Sequence, residues 1–495
     1  MKFGQKSNYN FFNMNWSVFW QIFSLVFIVT GIPVAVMIIL EKRSPFKTIA
    51  WILVLILVPL IGLAFYLFFG QEYRKQKLFS RRGVKSLSKI RRLSTKQLRE
   101  IELNVLHLSP EVLERKNIIR LLLNNSDSLL TTGNQLKILN NGNETFDAIF
   151  KAIKNAQHHI HLEYYIFEND KIGRQILGLL NEKSRQGVEV RIIVDDVGSW
   201  SLKERFFKNL RESGIEIYPF MEVRFPRLTS RVNFRNHRKI LIVDGKIGFT
   251  GGINIADRYI EGIPKIGPWR DTHLQITGDA VATMQVVFAA DWYFVINENL
   301  TGEKYFPPLT EKKGTPVQIT ASGPDSDWES MEQAYLSAIL NAREYVYITS
   351  PYLMPPQTIL SALKTSALSG VDVRIIIPEK SDAVTSKWCS FSYVEQLLEA
   401  GIKIYFYQKG FIHSKTLMID DIFSTVGTTN LDFRSLETNF EINAFIYEEK
   451  FTRILQKHFL NDLRNSREIK LAEWRKRSWR FKLRESLAHI VSPML

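Results

Sequence analysis

Two short stretches of the chain carry the same sparse set of polar side chains. The stretch NHRKILIVDG contains His237, Lys239 and Asp244, and the stretch FIHSKTLMIDD contains His413, Lys415 and Asp420. Alternate residues of a strand point to the same side, so each histidine shares a face with its lysine. An imidazole can act as a nucleophile or as a general acid, and an ammonium binds phosphate oxygens. The paired stretches therefore indicate a site that reacts with a phosphate ester.

A glycine and an asparagine follow each stretch, in GGIN and GTTN, which end at Asn254 and Asn430. The Asp-Gly pair at 244–245 is a strong hairpin signal and the Asp-Asp pair at 420–421 a weaker one, so each asparagine should return toward its histidine. The alternative is that both histidines are hydrogen-bonded core residues. A core has little reason to bury two histidines and two lysines, so we favour the reactive site.

Each stretch is the last part of a longer sequence unit, and this unit occurs twice in the chain. FDAIFKAIKNAQHHIHLEYYIF is matched by MEQAYLSAILNAREYVYITSPYL, GVEVRIIVDD by GVDVRIIIPE, and GIEIYPF by GIKIYFY. Strands that alternate with amphipathic helices predict an α/β fold with mixed, largely parallel sheets flanked by helices. We expect two pseudo-symmetric halves, at 126–310 and 311–460, that pack face to face.

The first 70 residues predict a transmembrane hairpin. Uncharged runs at about 16–40 and 48–69 are each long enough to cross a bilayer, and aromatic residues lie near their ends. A buried helical hairpin in a soluble core is the alternative. The basic stretch at 71–125 predicts a juxtamembrane linker, and its charge places the catalytic part on the cytoplasmic side of the cell membrane. The net charge of +15 also favours an anionic partner such as membrane lipid.

The tail at 461–495 is basic and rich in aromatic residues. Trp474, Phe481 and Leu487 can line one side of a helix, which suits an interfacial anchor on lipid. The alternative is a helix packed on the domain with a solvated basic face.

Three clustered histidines, His158, His159 and His161, could hold a metal, but no cysteine or well-spaced carboxylate accompanies them. Hydrogen-bonded positions on a strand are the favoured interpretation, and we expect neither a metal nor another cofactor. The single cysteine, Cys389, excludes an intrachain disulfide.

The paired motifs resemble those of the phospholipase D superfamily. The hairpin ILEKRSPFKTIAWILVLILVPLIGLAFYLFFG, the segments NHRKILIVDGKIGFTGGINIADRY and WRDTHLQITGDAV, and the terminal SPML resemble those of bacterial cardiolipin synthases. The resemblance covers nearly the whole chain.

The resemblance implies transfer of a phosphatidyl group between two phosphatidylglycerol molecules, giving cardiolipin and glycerol through a phosphohistidine. It favours His237 as the nucleophile and His413 as the acid and base, although the near symmetry of the motifs leaves the assignment open. It implies that both lysines and both asparagines hold the phosphoryl oxygens. Asp244 and Asp420 match the motif and are expected mainly to hold the site together.

A catalytic histidine needs a partner on its second ring nitrogen. We predict Glu441, in TNFEINAF, as the partner of His413, and Asp271, in WRDTHLQI, as the partner of His237. A surface carboxylate on a strand is the alternative for either residue.

The same residues are compatible with other functions. A phospholipase D hydrolase or another phosphatidyltransferase would use water or a different alcohol. A nuclease of the superfamily would suit the positive charge, but the two apolar runs argue against a nucleic-acid partner. A binding module with a decayed site conflicts with two intact motifs.

Overall fold

The computed structural model describes residues 17, 21, 31–40, 45–58, 62–63, 65–66, 85–103, 108–223, 234–308 and 313–492. The chain divides into two compact units. The smaller unit contains residues 1–72 with 226–230, and the larger contains residues 73–225 with 231–495.

The described part of the smaller unit contains two short apolar helices, α1 (Ile32–Leu40) and α2 (Pro45–Leu57). Ile38 and Leu55 are buried together with Tyr66, whose ring meets the Trp51 ring edge-on at 5.5 Å. Among the described residues, no helix has both the length and the apolar character needed to cross a membrane. The predicted spans at 16–40 and 48–69 extend over positions that lie outside the described residues.

The larger unit begins with three helices: α3 (Lys85–Glu102), α4 (Pro110–Glu114) and α5 (Lys116–Ser126). The first half follows. Its strands are β1 (Leu130–Thr131), β2 (Asn134–Asn140), β3 (His159–Tyr164), β4 (Glu189–Asp195), β5 (Glu216–Phe220), β6 (Lys239–Val243), β7 (Ile247–Gly251), β8 (Trp269–Arg270) and β9 (Thr272–Gly278). Its helices are α6 (Asn141–Lys154), α7 (Lys171–Arg185), α8 (Glu204–Glu212), α9 (Arg258–Glu261) and α10 (Ala280–Ile296), and a short 3-10 helix follows at Glu303–Tyr305.

The second half repeats this order. Its strands are β10 (Val317–Ser322), β11 (Tyr345–Thr349), β12 (Leu353–Met354), β13 (Asp372–Pro378), β14 (Lys403–Tyr407), β15 (Phe411–Ile412), β16 (Thr416–Ile419), β17 (Phe423–Gly427), β18 (Leu431–Asp432), β19 (Glu441–Tyr447) and β20 (Ser466–Ile469). Its helices are α11 (Ser330–Leu340), α12 (Gln357–Leu368), α13 (Val384–Ser392), α14 (Val394–Glu399), α15 (Glu449–Arg464), α16 (Leu471–Arg475) and α17 (Trp479–Val491), with a π-helical turn at Arg434–Thr438.

Local sequence explains these elements. Helix α7 begins after Asp170, whose carboxylate accepts a hydrogen bond from Gly173 N–H at 3.0 Å and so caps the helix. Its buried residues Ile172, Ile176 and Leu180 recur at helical spacing and face the sheet. The amphipathic pattern read from the sequence thus becomes a helix that covers one face of a sheet.

The two large sheets have the same strand order. The first runs β2-β9-β7-β6-β3-β4-β5, and the second runs β10-β19-β17-β16-β11-β13-β14 with β1 and β20 added at its edges. This confirms the α/β class, the mixed sheets flanked by helices and the repeat. The expectation of largely parallel sheets is wrong for the described strands. Within the two large sheets, only β3-β4-β5 and β11-β13-β14 pair in parallel, because the motif strands return through hairpins rather than through helices.

The two halves share a buried core. Ile240 and Ile242 of β6 belong to the same cluster as Met418 of β16 and Ile442 of β19, and α10 contributes Trp292. One face of each large sheet therefore packs against the same face of the other, as expected for two halves that pack face to face.

Two segments outside the repeat are more closely packed than the sequence suggested. Ile119 and Leu122 of α5 are buried in the second half's core, so part of the 71–125 stretch is integral to the fold. Trp474 is also buried there, whereas Phe481 and Leu487 are exposed. The predicted lipid-facing side with Trp474 is therefore wrong, because Trp474 packs against Phe391 and Phe406.

Candidate active site

Each motif histidine lies beside a segment of the opposite half. His237 N–H donates to Phe440 O at 2.9 Å, and His413 N–H donates to Arg270 O at 2.7 Å. Strand β8 of the first half also pairs in parallel with β15 of the second, so that Arg270 lies opposite Ile412. These backbone contacts bring the residue that follows each acceptor carbonyl to the histidine of the other half.

Those following residues are Glu441 and Asp271. Glu441 Oε1 lies 2.9 Å from His237 Nδ1, and Asp271 Oδ2 lies 2.7 Å from His413 Nδ1. The four residues are brought together, but the predicted pairing is wrong, since each histidine meets the carboxylate of the other half. Strand order gives the reason. Within the first half, Asp271 immediately precedes β9 and His237 precedes β6, and β7 lies between these two strands. In the second half, β17 lies in the same way between β19, which begins at Glu441, and β16, which follows His413.

Further hydrogen bonds fix each carboxylate. Thr428 Oγ1–H donates to Glu441 Oε2. Asp271 accepts from Thr272 N–H at 2.8 Å and from the Trp269 indole at 3.2 Å. At Gly252, which matches Thr428 in the repeat, an added Cβ would lie only 2.0 Å from Asp271 Oδ1. A glycine is therefore required beside Asp271, whereas a threonine supports Glu441.

Burial makes both histidines neutral. It lowers the pKa of His237 to about 4, against the opposing effect of Glu441. Burial, together with Lys415, lowers the pKa of His413 to about 3, against the opposing effect of Asp271. A neutral imidazole that faces a carboxylate through Nδ1 must donate from that nitrogen. Nε2 then keeps its lone pair, as a nucleophile or base requires.

The two lysines are buried beside their histidines. Lys239 Nζ donates to His237 O at 2.7 Å, and Lys415 Nζ donates to His413 O at 2.6 Å. Burial lowers the pKa of Lys239 to about 7 and that of Lys415 to about 8. Each ammonium has three protons, so donors remain for an anion, and a bound anion would raise both pKa values.

Both asparagines line the same cavity as the histidines. Asn254 Oδ1 accepts from Ile166 N–H at 3.1 Å, and its amide nitrogen meets the Tyr259 hydroxyl. Among the residues that the structure describes, Asn430 Oδ1 has no hydrogen-bond partner although the atom is buried. The two amides are thus placed at the cavity wall, where they can contact a substrate.

The two motif aspartates lie away from the cavity and have a clear packing role. Asp244 accepts backbone N–H bonds from Gln157, His158 and His159 at 2.7–3.1 Å. Asp420 accepts the corresponding bonds from residues 343–345 at 2.9–3.1 Å and pairs with Arg115 at 2.8 Å. Each aspartate therefore ties the end of a motif strand to the loop that leads into the neighbouring strand.

The cavity between the halves has a volume of 680 Å³. Its wall includes charged and aromatic residues that we did not predict: Tyr165, Arg235, Arg258, Tyr352, Asp382, Asp432 and Arg434. The repeat could have indicated two of them, since Arg258 and Arg434 each follow the motif asparagine by four positions.

Comparison with known proteins identifies the family. A family model described as "Cardiolipin synthase, PLD-like domain" matches residues 149–292 and 335–463, and one described as "Phospholipase_D-nuclease N-terminal" matches residues 22–71. A protein named cardiolipin synthase, from Halalkalibacterium halodurans, is 41% identical over 485 residues, which cover 96% of this chain and 95% of that protein. The chain belongs to the cardiolipin synthase family of the phospholipase D superfamily. It is therefore a phospholipid transferase.

Other members of the cardiolipin synthase family are similarly related. Cardiolipin synthase of Geobacillus kaustophilus is 41% identical and covers 96% of this chain and 95% of its own length. Cardiolipin synthase 2 of Staphylococcus epidermidis is 39% identical over 93% of this chain and 95% of its own length. The crystal structure of Haemophilus influenzae phosphatidylserine synthase has the same fold, with a TM-score of 0.59 at 17% identity, and covers 77% of this chain and 100% of that one.

Two arginines, the buried Arg238 and the partly buried Arg270, support the crossed carboxylates of this cardiolipin synthase family member. Arg238 pairs with Asp291 on α10 and donates from Nε to Glu441 O at 3.2 Å. Arg270 pairs with Asp462 on α15 at 2.9–3.0 Å and donates to the carbonyl of Asp271. A long helix near the end of each half thus anchors an arginine that holds the backbone of one carboxylate.

The histidine cluster at 158–161 lies outside the cavity. His158 is exposed, whereas His159 and His161 are buried. His161 Nδ1 bonds the Gln285 side chain at 2.8–3.1 Å and its ring stacks on Phe288. Among the residues that the structure describes, no group of histidine, cysteine, aspartate and glutamate could hold a metal ion.

Proposed function

We propose that the chain makes cardiolipin by transferring a phosphatidyl group from one phosphatidylglycerol molecule to another and releasing glycerol. The observation that carries this proposal is the crossed pair: His237 bonds Glu441, His413 bonds Asp271, and both histidines line one cavity. Family membership supplies the lipid class, since relatives that cover nearly the whole chain are named cardiolipin synthases.

In the first step, His237 Nε2 attacks phosphorus and the bond from phosphorus to the headgroup glycerol oxygen breaks. His413 gives its Nε2 proton to that oxygen, and glycerol leaves. The Glu441 carboxylate faces Nδ1–H of His237 and stabilises the positive charge that develops on the ring. The product of this step is a phosphatidyl group bound to His237.

In the second step, His413 takes a proton from the primary hydroxyl of a second phosphatidylglycerol. The freed oxygen attacks phosphorus, and the phosphorus–nitrogen bond to His237 breaks. One phosphodiester bond is exchanged for another, so the reaction needs no nucleotide. Asp271 holds His413 in the orientation that serves both proton transfers.

Charge in the cavity suits a phosphodiester. His413 must be protonated in the first step, yet burial lowers its pKa to about 3. A bound phosphodiester anion raises the pKa of both histidines and of both buried lysines. Lys239 and Lys415, with Asn254 and Asn430, would then hold the phosphoryl oxygens against the histidines.

We also propose that the chain is a multi-pass protein of the cell membrane with its catalytic unit on the cytoplasmic side. The family model that matches residues 22–71 covers the apolar runs, and Phe46, Leu53 and Leu57 expose at least half of their side-chain surfaces. The sequence after the second run is strongly basic, which favours the cytoplasmic side. Cysteine scanning of residues 41–47 and 73–85 with impermeant reagents in intact cells would test this topology.

Product analysis tests the reaction. Membranes that contain the full chain would receive phosphatidylglycerol labelled in its headgroup glycerol and phosphate. We expect cardiolipin and free glycerol in equal amounts, with both lost in His237→Ala and His413→Ala. His158→Ala is the matched control, because His158 is exposed and outside the cavity. Phosphatidic acid without cardiolipin would show that water is the acceptor and would overturn the proposal.

A further inference from the structure

Helix α17 presents an apolar stripe to solvent. Trp479, Leu483, Leu487 and Ile490 are 68%, 48%, 58% and 72% exposed. They lie four, four and three positions apart, so they share one face of the helix. Four large apolar side chains on one exposed helix face are more than a scattered surface residue would explain.

The opposite face of α17 is fastened to α13. Cys389 Sγ–H donates to Ala488 O at 3.1 Å, and the Trp388 and Phe481 rings lie 5.6 Å apart. The helix is therefore a fixed part of the larger unit, and its exposed stripe points away from α13.

Helix α13 is also a wall of the active-site cavity. Ser386 lines the cavity, as does Asp382 just before the helix. Leu353 N–H donates to Ser390 Oγ at 3.0 Å, which joins α13 to the strand that carries Met354, another cavity residue. One helix thus separates the apolar stripe from the site of the reaction.

Positive charge borders the stripe. Arg480, Lys482 and Arg484 are exposed on α17, and its one acidic residue, Glu485, is buried and paired with Arg477. An apolar helix face bordered by exposed basic residues is the pattern of a helix that lies in the interface of an anionic bilayer.

We infer that the stripe on α17 inserts into the interface of an anionic lipid bilayer and thereby holds the α13 side of the cavity next to lipid headgroups. The inference deepens the proposed function, since two lipid substrates must reach the cavity from the bilayer. The stripe could instead be covered by a second copy of the chain or by another protein, and the test below distinguishes these possibilities from lipid.

Depth-dependent quenching tests the inference in the full chain. Leu483→Cys and Leu487→Cys would each carry a small environment-sensitive fluorophore, with the protein reconstituted in bilayers of phosphatidylglycerol and phosphatidylcholine. Burial raises the pKa of the native Cys389 thiol to about 11, so the parent chain should take up little label. Lipids brominated on the acyl chains are the quenchers.

Leu368→Cys is the matched control. Leu368 is 74% exposed at the end of α12, before the start of β13, whereas α13 follows the other end of β13. A strand of this length spans about 20 Å, so the control lies about that far from the start of α13, at the opposite end of β13.

We expect the labels at 483 and 487 to be quenched at least twofold more than the label at 368. Equal quenching at the three positions would overturn the inference. Crosslinking of 487 to 487 between copies, or protection from quenching by an added protein, would also overturn it by showing another occupant. The same measurement in the His413→Ala background does not depend on catalysis, so failure of the proposed reaction would leave this result unchanged.

Discussion

Glu441, in the second half of the repeat, lies 2.9 Å from Nδ1 of His237, in the first half. Asp271 and His413 form the reciprocal contact at 2.7 Å. Each motif histidine therefore takes its carboxylate partner from the other half, and the candidate site exists only where the halves meet.

The crossed carboxylates should be essential for turnover. We expect Glu441→Gln and Asp271→Asn each to lower kcat roughly 100- to 10,000-fold, because a neutral amide cannot stabilise a charged imidazole. The Michaelis constant should change little, since neither residue is expected to touch the lipid. Steady-state assays with phosphatidylglycerol would measure both constants. Full activity of either variant would show that its carboxylate has only a packing role.

The alkaline limb of the pH profile should report the two buried lysines. The free-enzyme pKa values are about 7 for Lys239 and about 8 for Lys415. As pH rises through this range, each lysine loses the proton and the positive charge that bind phosphate, so kcat/KM should fall. The alkaline limb of the kcat profile should lie at higher pH than that of the kcat/KM profile, because the bound anion raises the pKa of both lysines. A kcat/KM that stays level from about pH 6.5 to 9 would contradict this account.

Arg238 should contribute to both stability and positioning. Arg238→Met would leave the buried Asp291 carboxylate unpaired, at a cost of about 3–5 kcal/mol in the free energy of unfolding. Arg238→Met combined with Asp291→Leu should recover most of that stability. The double variant should still have a reduced kcat, since Glu441 O loses its donor. Chemical denaturation and activity assays on the two variants would separate these effects, and a stable double variant with full kcat would exclude the positioning role.

The two motif aspartates should stabilise the fold by different amounts and take no part in the chemistry. Asp420→Asn would lose a buried pair with Arg115 as well as weaken three backbone bonds, and should cost about 2–4 kcal/mol. Asp244 has no corresponding arginine contact among the described residues. Asp244→Asn should therefore lower the free energy of unfolding by less, about 1–2 kcal/mol. Unfolding free energies and activity per folded molecule would be measured together. A large loss of kcat in a fully folded variant would place the aspartate in the chemistry instead.

Much of this fold could be read from the sequence because the repeat is explicit. Strands buried on both faces, amphipathic helices and the Asp-Gly turn at 244–245 predicted the elements, and the doubled motif predicted two halves. The direction of strand pairing was harder to predict, since a hairpin return and a helical crossover both follow a buried strand. The packing of α5 was missed because its apolar residues lie in a basic stretch that suggested a linker.

The sequence predicted which residues meet at the candidate site, but not which carboxylate pairs with which histidine. Glu441 and Asp271 follow the motif of their own half along the chain, which suggested partners within each half. Only the strand order shows that β7 and β17 intervene and that the other half supplies the contact. Arg115 was missed for a similar reason, because it precedes Asp420 by 305 positions and no local pattern links the two.

The crossed pairing can be tested directly with a phosphatidyl ester of p-nitrophenol, a substrate whose leaving group needs no proton. Formation of the phosphohistidine then depends on His237 and its carboxylate partner, and its breakdown depends on His413 and its partner. We predict a rapid burst of about one equivalent of nitrophenolate in His413→Ala and Asp271→Asn, and a slow burst in Glu441→Gln. A burst in His413→Ala identifies His237 as the nucleophile. If that burst is present, a burst that survives in Glu441→Gln but is lost in Asp271→Asn would contradict the crossed site.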